Sequence, residues 1–203
     1  MPTNVCTSIE QLRTNATNTL SEYLHFFAYT NLAYSQTAST LHPATPIIIA
    51  GISKEDGAHV LACLKKYSVG ILRQITLVNY IALFEDYYFS LLRELLLAYP
   101  KHLNKKQVEL GVITTFSVQE IMEQTIAKEL HDLSFKPVNE WFAYLEKILS
   151  SIGYPDGGIT DEFAEMKATR DIILHNAGVA DLTYVRKSGS KARCSVGETV
   201  VIE

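Results

Sequence analysis

From Gly70 to Tyr99 the chain carries no proline and no interior glycine, and its apolar residues recur at helical spacing until Pro100 stops the run. An amphipathic helix of that length buries a long apolar stripe and needs other helices to cover it. The rest of the sequence supplies them. Ser8-Ile9-Glu10-Gln11 reads as a capping box opening a first helix through Leu20, Tyr23, Leu24 and Phe27 to the mid-thirties. Ser117-Val118-Gln119-Glu120 reads as a second box, opening a helix to about Leu133. Pro137 suits the first turn of the next helix, which carries Trp141, Phe142, Leu145 and Ile148.

Thr160 reads as the cap of a last helix that ends near Gly178, after a Tyr154–Gly158 turn. Gln36 to Gly57 reads as irregular, with Ile47-Ile48-Ile49 as an extended apolar patch. Leu182–Val185 and Thr199–Ile202 flank Gly-Ser residues and read as a small β-hairpin. The expected fold is all-α: a single helical domain over residues 1–203 with a short irregular or β-hairpin C-terminal tail.

The 203 residues include 47% hydrophobic and 20% charged side chains, with a formal charge of −4. That composition excludes disordered and fibrous classes and argues against an extended phosphate-binding surface. Three cysteines without metal spacing fit a reduced, cytoplasmic protein. No secretory leader is legible. The longest charge-poor apolar run, Gln74 to Phe84, falls short of the roughly 20 residues of a membrane span.

Two charges sit where apolar residues belong. At about 100° per residue, with Phe163 at zero, the last helix groups Met166, Ile173, Leu174 and Ala177 on one side, and Arg170 at about 340° lies among them. On the Gly70–Tyr99 helix, Glu85 falls within the cluster of Val78, Ile81, Tyr88, Leu92 and Leu96. An unpaired buried charge is too costly to keep, so the two should meet, directly or through a water; the other reading is a helix rotated enough for Arg170 to snorkel to solvent. Asp171 and His175 lie side by side, four residues apart.

Arg170-Asp171-Ile172-Ile173-Leu174-His175-Asn176 has the form Arg-polar-x-x-x-His, late in a helix of a helical chain. It resembles the signature of the HEPN superfamily. Asn176-Ala177-Gly178 and the acidic Glu85 on an earlier helix add to the resemblance, which covers about residues 70–178. Asp171 stands where asparagine is commoner. The resemblance implies a metal-independent endoribonuclease of toxin or antiviral-defence type, with Arg170 and His175 catalytic and Asp171, Asn176 and Glu85 supporting. It implies a homodimer with two motifs facing one cleft, an RNA substrate, a cognate antitoxin or other partner protein, and no cofactor, metal or membrane. A non-catalytic HEPN-like module that binds a protein or RNA is the alternative, and an unrelated helical adaptor is a third reading, favoured by an Arg170 that is exposed and unpaired.

The residue types suit that chemistry. Attack of an RNA 2′-hydroxyl on its own phosphate needs proton transfer, which histidine serves near neutral pH. It also needs positive charge on the phosphate, which the arginine fork supplies. Other signals carry less. Glu22-x-x-His25 has di-iron spacing but no second copy. Arg186, Lys187, Lys191 and Arg193 read as a solvated hairpin in the tail or, second, as a guide for RNA, and Tyr87, Tyr88 and Phe89 as core and interface aromatics.

Overall fold

The computed structural model describes residues 3–44, 46–48, 54–103, 116–149 and 157–202. Helix α1 spans Thr3–Thr40. Nothing between Thr3 and Ser8 breaks a helix, so Ser8 lies inside α1 rather than capping it. The helix also outlasts the mid-thirties. Serine and threonine hydroxyls bond back to the preceding turn, Ser35 to the Asn31 carbonyl at 2.9 Å and Thr40 to that of Gln36 at 3.0 Å. Pro43 then bars further helix.

Strands β1 (Pro46–Ile48) and β2 (Lys54–Asp56) pair antiparallel, with Ile47 opposite Glu55. The segment read as irregular therefore holds a short ladder, with Ile47 and Ile48 in it; Ile49 lies outside the described residues. Asp56 caps α2 (Gly57–Lys66) by accepting from the Ala58 N–H. A π-turn, Tyr67–Ile71, leads without a break into α3 (Leu72–Ala98). The long helix thus starts earlier than Gly70. The rod from Gly57 to Ala98 is long and apolar enough to cross a bilayer by length and composition only, a test that the core helix of a globular fold also passes.

Helix α4 (Val118–Ser134) opens on the expected box: the Ser117 hydroxyl accepts from the Glu120 N–H, and the Glu120 carboxylate accepts from the Ser117 N–H at 2.8 Å. Helix α5 (Val138–Leu149) follows Pro137 directly. Helix α6 (Gly157–His175) begins before Thr160. Gly157 and Gly158 join the helix, because glycine permits a turn without requiring one. Thr160 sits within the first turns, its hydroxyl buried without a hydrogen-bond partner among the described residues. Tyr154, Pro155 and Asp156 lie outside the described residues.

After His175 the chain reverses sharply. The N–H groups of Asn176 and Gly178 both donate to the Ile172 carbonyl, and Ala177 and Gly178 take φ of +51° and +78°. Gly178 terminates the helix as its position suggested. A Cβ there would meet only ordinary contacts, so backbone conformation is what favours glycine.

The tail is not the expected hairpin. Leu182–Ser188 forms helix α7, capped by Asp181, which accepts from the Tyr184 N–H at 2.6 Å. The strand-prone Leu182, Tyr184 and Val185 yield to that cap and to the burial of Tyr184 against α6. Thr199 instead bridges Val179, just after α6.

The main core joins α3, α4 and α5 through Leu92, Leu95, Leu96, Ile126, Leu133 and the fully buried Trp141. The Trp141 indole N–H donates to the Leu133 carbonyl at 2.8 Å, satisfying its one polar atom. A smaller cluster of Ala168, Ile172, Ala180, Tyr184 and Val200 ties α6 to α7 and the tail. Among the described residues the three cysteines are free thiols.

Candidate functional site: a charged cleft beside α6

The buried face of α6 differs from the apolar stripe read in the sequence. Met166 and Leu174 are exposed, while Glu165, Ala168, Thr169 and Ile172 are buried. The helix is covered on two sides, by α3 and α5 through Phe163 and by α7 and the tail through Ile172. Polar residues can occupy the second side because the tail brings partners to them. This arrangement leaves the Arg170 face turned toward a cleft of about 1190 Å3, walled by α3, the α4–α5 junction, α6 and α7.

Arg170 and Glu85 meet directly, the simpler of the outcomes that the helical arithmetic left open. One guanidinium nitrogen, Nη2, lies 2.6 Å from each Glu85 carboxylate oxygen. Lys167, one turn back on α6, places its Nζ 2.8 Å from Glu85 Oε1. The same ammonium stands 5.2 Å from the centroid of the Trp141 ring. Two cations thus share one carboxylate, and the trio keeps a net positive charge at the cleft wall. Arg170 Nε is buried without a hydrogen-bond partner among the described residues, and Nη1 lies 3.4 Å from Asp171 Oδ1.

His175 is the last residue of α6, exposed on the same cleft. Asp171 does not orient it. The Asp171 carboxylate accepts from Lys187 of α7 at 3.0 Å and faces the Arg170 guanidinium, and among the described residues no hydrogen bond joins it to His175. Asn176 serves the turn rather than the cleft: its side-chain amide donates to the Val179 carbonyl at 2.7 Å.

Of the tail cations read as solvated, Arg186 and Lys187 line the cleft. Lys191 pairs with Glu162 at 3.1 Å. Arg193 turns inward. Its Nε lies 2.9 Å from the buried Glu165 carboxylate, which also accepts from Thr169 at 2.6 Å and from the Tyr184 hydroxyl at 2.8 Å. The Arg193 backbone N–H donates to the same Tyr184 oxygen. Burial raises the Tyr184 hydroxyl above the usual tyrosine range.

Sequence reasoning missed Lys167, Glu165 and the inward turn of Arg193. Lys167 was within reach, because it falls about 60° from Arg170 on the helical wheel. Glu165 gave no such signal, since it lies among polar residues and its partner comes 28 positions later. Comparison with family models, curated proteins and solved structures finds no match to this chain.

Proposed function

We propose that this chain is a HEPN-like endoribonuclease that cuts single-stranded RNA without a metal ion, as a cytoplasmic homodimer. The observation that carries the reading is that Arg170 and His175 line one cleft, with the further cations Arg186 and Lys187 on its wall. Toxin or antiviral-defence use is what the sequence resemblance implies for such an enzyme.

In this mechanism His175 takes the proton of an RNA 2′-hydroxyl. The freed oxygen attacks the adjacent phosphorus, and the bond to the 5′-oxygen breaks. The His175 of a second copy returns a proton to that leaving oxygen. The products are a 2′,3′-cyclic phosphate and a 5′-hydroxyl. Arg170 Nη1 and the Lys167 ammonium supply positive charge to the pentacoordinate phosphate. DNA lacks the nucleophile and is left intact.

The rival reading is a non-catalytic module of the same shape. It is favoured by the engagement of Arg170 with Glu85 and by the diversion of Asp171 to Lys187. A fluorescent RNA incubated with excess EDTA separates the two. The ribonuclease cleaves it, and His175→Ala slows cleavage by about 10²–10⁴-fold. Absence of cleavage, or equal rates in both proteins, favours the module; cleavage abolished by EDTA refutes the metal-free route.

A further inference from the structure

Phe135 stands at the C-terminal end of α4 with its side chain in solvent, 78% exposed. The apolar residues of α4 that build the core, Ile126, Leu130 and Leu133, lie on another face. The Phe135 ring touches the His131 ring edge-to-face, with centroids 4.9 Å apart at 82°. It lines the same cleft as Arg170 and His175, and Lys136 follows it directly. Arg186 lines that cleft too and has no carboxylate partner among the described residues.

We infer that Phe135 is a base-stacking platform, on which an unpaired base of single-stranded RNA lies while Arg186 and Lys187 hold the adjoining backbone phosphates. The inference rests on the ribonuclease reading and names how that site takes its substrate. A phenylalanine face accepts any base, so stacking contributes affinity with little sequence preference. Only unpaired nucleotides can splay a base onto it, so duplex RNA gains nothing from the ring. Arg186 is the freer phosphate ligand of the two cations, because Lys187 is already engaged by Asp171.

The test measures anisotropy of a fluorescein-labelled, unstructured RNA in the His175→Ala background, which prevents turnover. Adding Phe135→Ala weakens binding by roughly five- to a hundredfold, and Phe135→Trp restores it. The melting temperature stays where it was, because so exposed a ring packs against little. Arg186→Ala weakens binding and flattens its salt dependence. Equal single-strand affinity with and without the Phe135 ring overturns the platform while leaving the ribonuclease reading in place. An equal loss on duplex RNA of the same sequence also overturns it. Failure of the His175→Ala parent to bind any RNA overturns the ribonuclease reading, and the platform with it.

Discussion

Arg170 on α6 and Glu85 on α3 are joined through a single guanidinium nitrogen, which lies 2.6 Å from both carboxylate oxygens. This end-on pairing leaves Nη1 free of Glu85 and 3.4 Å from Asp171 Oδ1, on a residue that lines the cleft. A side-on pair would have used two nitrogens. One residue therefore braces two helices and still presents charge to the cavity.

Arg170→Ala should lower both cleavage and stability. The side chains are 17% and 23% exposed, so the loss is that of a largely buried pair. Lys167 remains to hold Glu85, which limits the cost to about 1–3 kcal/mol. Arg170→Ala combined with Glu85→Gln should recover part of the stability and none of the activity. His175→Ala should leave the melting temperature alone. Thermal melts beside cleavage rates check all three.

Arg193→Ala should destabilise by about 3 kcal/mol, because it leaves the Glu165 carboxylate buried without its cation. Tyr184→Phe removes one hydrogen bond to Glu165 and should cost about 1 kcal/mol. Urea denaturation of the two variants gives the ratio; equal losses would contradict this ordering.

Both networks combine charges from distant parts of the chain, yet only one was legible beforehand. Glu85 and Arg170 each interrupt an apolar pattern, and a charge amid apolar residues announces that it needs a partner. Glu165 and Thr169 interrupt nothing, since helices expose polar residues routinely. Their burial depends on α7, and α7 was misread because Leu182, Tyr184 and Val185 favour strands while the Asp181 cap that turns them helical is a single residue. Local signals fared best where they were self-contained. The Ser117–Glu120 box and the stop at Pro100 need nothing beyond their own turn, whereas Ser8–Gln11 repeats the same pattern inside a helix already under way.

Alkaline pH should destabilise the fold through Tyr144. Burial, with the Glu129 charge adding to it, pushes this hydroxyl up to about 12. An unfolded tyrosine titrates near 10. The folded state therefore holds its proton more tightly, and this share of stability is complete below about pH 10 and is lost as pH rises from 10 to 12. Tyr144→Phe removes that share, so its melting temperature should fall less steeply over this interval than that of the parent.

Light scattering should return twice the 22.7 kDa chain mass at micromolar concentration. An isologous contact brings the same patch of two copies together and can supply the second His175 that the proposed mechanism uses. A monomer under conditions where RNA is cleaved would require another acid for the leaving oxygen.

The tie between Glu165 and Arg193 also sets a clock for biosynthesis. Helix α6 emerges from the ribosome before the residues that complete its packing, and Arg73 of α3 waits longer still, since its guanidinium donates to the Ile202 carbonyl. At about 5–20 residues per second, the 28 residues from Glu165 to Arg193 take a few seconds. During it Glu165 has no arginine beside it, the α7 wall of the cleft is missing, and Arg186 and Lys187 have yet to reach it. A nascent chain therefore passes through a period in which its motif has been translated but the α7 wall of its cleft does not exist, and whatever the cleft does begins only after Arg186 and Lys187 have joined it.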